Sequence, residues 1–260
     1  MAHISFSELQ NWVKCPTYHK ITYIDKTFKF EGNLHTAFGR AAHYVCELVV
    51  AEKICNSFAP TLFKQKFMEE VERLPNLEEL DQNLFEEMLP QGAVLTTHAI
   101  PALKRHFGKF ELVGVEDMLY EEIEKGTLDI GDKKFKGFVD LVIKTEDGTT
   151  HIIDWKTTGW GWKPEKKSDK MVHYQLTLYK HFFAKKHNLD PSNIETHFGL
   201  LKRTAKKDQV EIFRVTSGPK KTKNALNLLH MALYNINKSN FIKNKLSCKI
   251  CDLYKTEFCQ

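Results

Sequence analysis

The sequence predicts an α/β fold, in which an α/β core is preceded by a mainly helical N-terminal portion. The first observation is that Leu and Phe recur at three- and four-residue spacing over 61–107, which is typical of amphipathic helices. The second is that later segments rich in β-branched and aromatic residues are separated by helical patterns. Strands interleaved with helices in this way indicate a sheet packed between helices.

The predicted helices of the first half begin with a short one over 5–14. Ser5 or Ser7 is its expected N-terminal cap, because a serine hydroxyl accepts from free backbone N–H groups of the first turn. A long helix is expected over 36–55. Further amphipathic helices are predicted over 61–74, 77–89 and 93–107.

The second half is predicted to contain the sheet. Strands are expected over 111–124, 133–144, 149–157, 195–203 and 209–215, with helices over 171–187 and 219–237. We expect a single domain over 1–260, composed of a mainly helical portion (1–110), an α/β core (111–240) and a cysteine-rich segment (241–260).

The composition is that of an ordinary globular chain. With 260 residues, 42% of them hydrophobic, the chain can bury a substantial core. No apolar run approaches the ~18 residues of a membrane span, and the N-terminus lacks a signal pattern, so we expect a cytoplasmic protein that does not enter a membrane. The net charge of +5 is modest, but lysines are clustered in the second half. Such clusters are typical either of a surface that faces nucleic-acid phosphates or of an ordinary solvated face.

The most informative segment is the hairpin GFVDLVIKTEDGTTHIIDWKT. A three-residue loop closed by a left-handed glycine fits Glu146-Asp147-Gly148. Thr145 then pairs with Thr149, and counting back along both strands places Asp140 opposite Asp154. Directly opposed Cβ atoms lie ~4.5–5.5 Å apart, so the two carboxylates are expected to be close together.

Lys156 is expected on the same face as Asp154, since side chains alternate along a strand. The residues that flank the two aspartates are apolar, so the segment should be largely buried; they are Phe138, Val139, Leu141, Val142, Ile143, Ile152, Ile153 and Trp155. Two ionised carboxylates repel each other in such a setting unless one takes up a proton or a cation binds between them. Carboxylate oxygens are the ligands that Mg²⁺ and Mn²⁺ prefer. The alternative is an Asp–Lys ion pair beside an unrelated aspartate.

These two strands resemble the core of the PD-(D/E)XK nucleases, and more closely the RecB/AddB-like exonuclease branch. That branch includes the CRISPR-associated adaptation nuclease with an iron–sulfur cluster and related phage exonucleases. GFVDLV contains Asp140, and IIDWKT contains Asp154 and Lys156. The resemblance implies a restriction-endonuclease-like core, which is a mixed central sheet flanked by helices. It also implies a DNA exonuclease that depends on Mg²⁺ or Mn²⁺ and prefers ends or single strands. The alternatives are a structure-specific endonuclease of the same fold and a catalytically silent DNA-binding or scaffold module.

A helical motif extends the resemblance to the first half of the chain. FGRAAHYVCE resembles the branch motif in which a glycine precedes a histidine by four residues. It implies that His43 is a metal ligand, together with Asp140, Asp154 and the backbone carbonyl of Trp155. Glu47 lies one helical turn after the histidine, on the same helix face, and is a further candidate.

A second helical motif lies in HYQLTLY, which resembles the Q-x-x-x-Y motif of the family. The resemblance implies that Gln175 and Tyr179 organise the catalytic site and contact the DNA backbone. Their spacing of four residues places both on one helix face. The alternative is an ordinary amphipathic helix.

Cysteines near both termini complete the resemblance, in ISFSELQNWVKCPTYHKITY and CKICDLYKTEFC. The resemblance implies a 4Fe–4S cluster that joins the two ends of the chain, with Zn²⁺ as the alternative. The implied ligands are Cys15, Cys248, Cys251 and Cys259. The last interval, with seven intervening residues, is longer than is usual in such relatives. Cys46 and Cys55 are interpreted as small buried residues of one helix.

The loop TTGWGWKPEKKSDK after the second strand of the hairpin is the candidate DNA contact. Aromatic side chains can stack on unpaired bases, and lysines can follow phosphates. The expected contacts are Trp160, Trp162, Lys163, Lys202 and Arg203. Alternatively, the two tryptophans anchor the loop on the core. DNA is the expected partner; recombination or CRISPR adaptation proteins and further copies of this chain are additional options, and the compact form fits a phage-encoded protein acting in a host cytoplasm.

Overall fold

The computed structural model describes residues 3–259, and one mixed six-stranded sheet lies at its centre. The strands are β1 (His3–Ser5), β2 (Phe110–Glu122), β3 (Lys134–Thr145), β4 (Thr150–Thr158), β5 (Ile194–Lys202) and β6 (Val210–Val215). The mixed α/β architecture agrees with the fold class predicted from the sequence.

Helices cover both faces of the sheet. They are α1 (Phe6–Lys14), α2 (Pro16–His19), α3 (Leu34–Val50), α4 (Ala59–Glu72), α5 (Gln82–Leu95), α6 (Ala99–Phe107), α7 (Pro164–Lys167), α8 (Lys170–His187) and α9 (Pro219–Asn237). Shorter 3₁₀ or π segments lie at Lys20–Ile24, Asn56–Phe58, Leu77–Glu79, Thr96–His98, Pro191–Asn193 and Lys245–Ile250. Within residues 3–259, none of the helices has the length and apolar character that a membrane span requires.

Strand β3 organises the sheet because it has neighbours on both edges. Antiparallel β2 follows one edge for most of its length. The other edge is shared, since parallel β1 pairs with Lys134–Lys136 and antiparallel β4 pairs with Leu141–Lys144. The stretch 137–140 therefore lies between β1 and β4 and pairs with neither of them. Beyond β4, β5 continues the sheet in parallel and β6 closes it antiparallel to β5.

The central strands β4 and β5 are buried on both faces over most of their length, as their continuous apolar runs require. Ile152 packs with α1, α8 and α9 on one face, whereas its neighbour Ile153 packs with α3–α6 on the other. The two helices that carry predicted site residues, α3 and α8, therefore approach the sheet from opposite sides. A third, small apolar cluster near the termini contains Cys15, Tyr18 and Leu253.

The predicted register of the β3–β4 hairpin is confirmed. The Thr145 N–H donates to the Thr149 carbonyl over 3.1 Å, and Lys144 pairs with Thr150. Gly148 has a φ of +84°, the left-handed conformation that closes a three-residue loop. Counting back from this loop, the two predicted aspartates lie at the same level of the sheet.

The predicted cap of the first helix is also confirmed. The Ser5 hydroxyl accepts from the Glu8 N–H over 3.2 Å, so α1 begins directly after it. The N-terminal portion is not purely helical, however, because the three residues before this helix form β1 and join the sheet.

The long helix predicted over 36–55 is too long at its C-terminal end. It ends at Val50, and Glu52 has a φ of +54°, which a right-handed helix does not accommodate. Cys55 consequently lies outside the helix and is exposed, so the prediction that it is buried is wrong, whereas Cys46 is fully buried.

Two other local predictions also differ from the structure. The helix predicted to begin at 77 begins at Gln82, because the Asp81 side chain accepts from the Leu84 N–H over 3.0 Å and caps it there. Phe138 was expected to be buried with the rest of the hairpin, but its side chain is 46% exposed. It lies in the stretch of β3 that has no partner strand on one edge, where the sheet is open.

Candidate active site

Asp140 lies at the end of the stretch of β3 that pairs with neither β1 nor β4. The ladder between β3 and β4 stops at the pair Leu141–Ile153. Just beyond it, the Trp155 N–H donates to Asp140 Oδ2 over 2.7 Å. The Asp140 side-chain oxygen thus takes the place of the β3 backbone carbonyl that would accept this hydrogen bond if the ladder continued. This bond fixes the Asp140 carboxylate against β4, beside Asp154.

Asp154 is held from two sides and is only 2% exposed. Lys156 Nζ lies 2.6 Å from its Oδ2, and Gln175 Nε2 donates to its Oδ1 over 2.9 Å. Lys156 is two residues farther along β4, so it projects from the same face. The structure thus brings together the two aspartates and the lysine that the hairpin pattern predicted.

Helix α3 brings an imidazole and a third carboxylate to Asp140. His43 Nδ1 lies 3.5 Å from Asp140 Oδ2. Glu47 is one turn farther along the helix and 6% exposed. One ligand atom from each of these three residues lies within 4.8 Å of the other two. Asp154 adjoins this group and interacts electrostatically with both His43 and Asp140.

Helix α8 covers the open stretch of β3 from the other face. Gln175 Nε2, which holds Asp154, also lies 3.4 Å from the hydroxyl of Tyr179. The Tyr179 ring packs directly on Gly137, where a Cβ atom would lie only 2.9 Å from the ring carbon Cε1. A glycine is therefore needed for this close approach. Gln175 thus holds the Asp154 carboxylate, and Tyr179 shields backbone that has no partner strand there.

Trp155, whose backbone was a predicted ligand, contributes a side chain to the core and not to the site. Its indole is fully buried on the face of the sheet covered by α3–α6. It packs on Gly199 of β5 so closely that a Cβ there would lie 2.3 Å from the ring. The indole thus anchors β4, while the backbone of Trp155 holds Asp140.

Glu116 is a further acidic residue at the site, and the sequence pattern did not single it out. It lies on β2 between the pairs Val115–Leu141 and Asp117–Val139, which places it opposite Asp140. Its φ of +48° is unusual for a residue in a strand, and such strain is often found at functional sites. Several neighbouring residues in VEDMLYEE are also acidic, so only the irregular strand pairing distinguishes this one.

Burial sets the protonation state of these groups. It raises the pKa of both Asp140 and Asp154 to about 6, although Lys156 acts in the opposite direction. Burial, followed by the charges of Asp140 and Glu116, raises the pKa of Glu47 to about 8. Burial and the nearby ammonium lower the pKa of the α3 imidazole to about 4. The site therefore contains a neutral imidazole and more carboxylate charge than its single lysine can compensate.

A family model of the PD-(D/E)XK nuclease superfamily matches residues 3–256. The chain belongs to this superfamily. Among solved structures, the crystal structure of SSO0001 is similar to this chain with 15% identity, coverage of 85% of this chain and 96% of that chain, and a TM-score of 0.39. No match is found among curated proteins. Membership in the PD-(D/E)XK superfamily indicates metal-dependent nuclease activity.

The donor set fits the divalent cation that PD-(D/E)XK nucleases use. Carboxylate oxygens together with one imidazole nitrogen suit Mn²⁺, and the carboxylates suit Mg²⁺. A bound cation would compensate the charge of buried carboxylates whose pKa values are raised to about 6 and about 8. His43, Glu47, Asp140 and Asp154 are the residues that would hold it.

Metal affinity is expected to rise with pH between about 6 and about 8. The cation must displace protons from carboxyl groups with pKa values of about 6 and about 8, whereas ordinary carboxylates are ionised throughout this range. Titration calorimetry with Mn²⁺ at several pH values measures the effect. In Glu47→Gln the upper part of the dependence should disappear, while Glu146→Gln, an exposed carboxylate on the hairpin loop, should behave as wild type. An affinity that does not change with pH would contradict the expected protonation states.

The cysteines implied by the terminal motifs surround one small cavity. Cys15, Cys248, Cys251 and Cys259 all line it. The Asn244 N–H donates to Cys15 Sγ over 3.3 Å, and the Ser247 hydroxyl donates to the Lys14 carbonyl over 2.7 Å. The C-terminal segment is thus tied to the end of α1. Four thiols around one cavity, with a backbone N–H directed at one sulfur, fit a metal group that takes thiolate ligands.

The two tryptophans of the loop after β4 differ in their environment. Trp160 is 75% exposed. Trp162 packs instead on the core, with its ring centroid 5.0 Å from that of Phe198 and 6.0 Å from that of Phe213. The anchoring interpretation therefore fits Trp162, and Trp160 is the indole left free to contact a ligand.

The basic residues predicted to contact DNA also differ. Lys163 is exposed on the same loop as Trp160. Lys202 lies 3.6 Å from a carboxylate oxygen of Glu211, and the Arg203 guanidinium donates to Gln91 Oε1. The last two side chains thus have partners within the protein, so a DNA contact by either would compete with these interactions.

Proposed function

We propose that this protein is a divalent-metal-dependent DNA exonuclease that hydrolyses phosphodiester bonds and prefers ends or single strands. The observation that carries the proposal is the convergence of Asp140, Asp154 and Lys156 with His43 and Glu47 at the opening between β1 and β4. We also propose that 1–260 form one nuclease domain, since the site takes residues from both the helical portion and the sheet.

The residues of the site have separate roles in this proposal. A bound Mg²⁺ or Mn²⁺ supplies Lewis acidity and lowers the pKa of a bound water. Asp140 is oriented by the Trp155 N–H, and Asp154 by Gln175, so both carboxylates are positioned before substrate arrives. Lys156, held beside Asp154, positions the attacking water or stabilises charge that develops on the phosphoryl oxygens.

The preference for unpaired DNA is supported by the exposed indole of Trp160, because indoles stack on unpaired bases whatever their sequence. It lies in the loop that directly follows the catalytic strand β4. Trp160→Ala is expected to raise the KM for a single-stranded oligonucleotide roughly tenfold while leaving kcat nearly unchanged. Trp160→Phe retains a stacking ring and should restore much of the affinity. If Trp160→Ala has wild-type KM, the loop does not hold the unpaired strand in this way.

We propose further that the cysteine cavity holds a 4Fe–4S cluster that joins the two termini. One lone cysteine near the N-terminus together with a C-terminal trio is less typical of structural zinc, which commonly uses two close pairs. The role is structural, because the cavity is lined by residues of α2, the adjacent π segment and the C-terminal segment and by none of the active-site residues.

Cleavage of end-labelled linear DNA and of circular DNA, with Mg²⁺, Mn²⁺ or EDTA, tests the proposed activity. Degradation of linear but not circular substrate, abolished by EDTA, is the expected result, and the position of the label gives the polarity. Cutting of circular DNA would favour the structure-specific endonuclease. Binding without cutting, by folded and metal-replete protein, would favour a silent module within a recombination or adaptation complex.

A further inference from the structure

A second cluster of metal-type ligands lies near the ends at which β4 and β5 begin. Their parallel register pairs His151 with Glu195, and His197 is two residues farther along β5, so it shares the face of Glu195. His151 and Asp154 are three residues apart on one strand, and their side chains therefore project from opposite faces of the sheet. None of the candidate active-site residues lines the cleft that this cluster borders, so the cluster is separate from the candidate active site.

The three side chains converge on one point. His151 Nδ1 lies 3.1 Å from His197 Nε2. Glu195 Oε2 lies 3.8 Å from the first of these nitrogens and 3.7 Å from the second. A tetrahedral ion with ligand bonds of ~2.0–2.1 Å has ligand atoms ~3.4 Å apart. The observed distances lie on both sides of this value, so small rotations of the side chains would complete the geometry.

We propose that His151, His197 and Glu195 form a second metal site, which binds Zn²⁺. Two imidazoles and one carboxylate are typical of zinc and of similar transition ions, whereas Mg²⁺ prefers oxygen ligands and octahedral coordination. The cluster borders an open cleft of about 490 Å³, from which water can enter and complete the coordination.

Neighbouring side chains orient two of the ligands. The Thr145 hydroxyl donates to Asp147 Oδ1 over 2.6 Å, so its oxygen accepts from His151 Nε2–H at 3.0 Å. The other ring nitrogen, Nδ1, then has a free lone pair directed at the cluster. Arg214 Nη2 lies 2.8 Å from Glu195 Oε1, which leaves Oε2 to the ion. Such supporting hydrogen bonds are a regular feature of zinc sites.

The third ligand is a buried imidazole, since His197 is only 2% exposed. Without an ion, the Nε2–H of His197 donates to the lone pair of His151 Nδ1. An ion bound between the two rings would take the place of this hydrogen, which would then be carried by His197 Nδ1. The Phe107 ring packs on both imidazoles, with centroid distances of 4.8 Å and 5.0 Å. The rings are therefore fixed in place before an ion binds.

The ion would act as a clamp between strands and not as a reaction centre. It joins β4 to β5, and the Arg214–Glu195 pair extends the connection to β6. An ion that binds only the folded chain stabilises it in proportion to its affinity and concentration. Zn²⁺ should therefore raise the melting temperature without changing the rate of DNA cleavage in excess Mg²⁺.

Zinc binding by wild type, Glu195→Gln and Glu146→Gln tests the proposal. The protein is used with its cysteine site filled and with excess Mg²⁺, and Zn²⁺ is titrated against a chromophoric chelator. Wild type and Glu146→Gln, a carboxylate on the rim of the same cleft, should each bind one Zn²⁺ that Glu195→Gln binds at least roughly 100-fold more weakly. Equal affinity in all three proteins, or no zinc bound by wild type under these conditions, would overturn the proposal.

A second variant separates ligand loss from damage to the fold. Thr145→Val removes the acceptor for His151 Nε2–H and the donor to Asp147 while leaving all three ligands in place, and it should weaken zinc binding roughly 10- to 100-fold. Circular dichroism and the cleavage rate in Mg²⁺ should remain those of wild type in both variants, since the cleft beside the zinc site is lined by none of the active-site residues. Unchanged zinc affinity in Thr145→Val would show that His151 does not bind the ion through Nδ1.

Discussion

Replacing Asp154 with Asn is expected to lower the rate of DNA cleavage by roughly 10³-fold, which is the size of effect seen when one electrostatic stabiliser of a transition state is removed. Asn has nearly the same shape, and its carbonyl oxygen can still accept from Gln175 Nε2. The substitution therefore removes one negative charge from the proposed metal ligands and leaves the volume of the side chain nearly unchanged. DNA affinity should be retained or rise slightly, because one negative charge close to the phosphates has been lost.

Single-turnover cleavage and fluorescence anisotropy measure these two quantities on the same DNA. Asp132→Asn is a matched control, since that carboxylate is 90% exposed, pairs with Lys125 and precedes the start of β3. It should cleave as wild type does. Robust cleavage by Asp154→Asn would show that Asp154 and its neighbours are not the active site, even though the chain belongs to the PD-(D/E)XK superfamily.

The partner of this aspartate provides an independent check. Lys156→Met should abolish cleavage and also lower stability by about 1–3 kcal/mol, since it leaves the buried Asp154 carboxylate without its counter-charge. This expected loss of stability is smaller than that for a fully buried ion pair because the Lys156 side chain is 32% exposed. Adding Asp154→Asn should recover stability but not activity. A double variant as unstable as Lys156→Met would mean that the two side chains are not coupled.

Replacing Cys15 with Ser is expected to remove the metal group of the cysteine cavity and to destabilise the chain strongly. A metal group held by Cys15 and Cys248 would close a loop that includes most of the sequence, and the chain-entropy model for a cross-link of this length gives roughly 5 kcal/mol. The protein as purified should be brown, with absorbance near ~400 nm from an iron–sulfur cluster, and Cys15→Ser should be colourless. Denaturant unfolding and the iron, sulfide and zinc contents provide the measurements.

Cys55→Ser is the matched control for this substitution. Cys55 is a free, exposed cysteine away from the cavity, so its loss should change neither colour nor stability. A colourless wild type with one zinc per chain would identify zinc in the cavity in place of the cluster. If Cys15→Ser has wild-type colour and stability, the cavity does not hold a metal group through this residue.

Several features of the site follow from local sequence rules. The register of the β3–β4 hairpin follows from the three-residue loop with Gly148, because the loop length fixes which residues face each other. That register brings Asp140 and Asp154 to one level, and strand alternation places Lys156 beside the second of them. Each of these relations spans at most a single hairpin, which is why the sequence pattern could specify it.

Features that depend on pairing between strands far apart in the sequence could not be predicted from local sequence rules. The opening in which Asp140 lies exists because β1, more than 100 residues earlier in the chain, takes part of the edge of β3. The position of Glu116 opposite Asp140 depends on a register shift in the β2–β3 ladder. The environment of Trp162 depends on its packing against Phe198.

The sequence by itself thus determined the fold class, the hairpin and the convergence of its two aspartates and lysine, because turn chemistry and side-chain alternation depend on only a few neighbouring residues. Only the tertiary structure decided the burial of Glu47, which raises its pKa to about 8. It also decided that His151 and His197 meet, since a parallel pair of strands is connected by a long crossover whose register no local rule fixes. Burial and parallel register are properties of the whole packed chain, and they set the electrostatics of both sites.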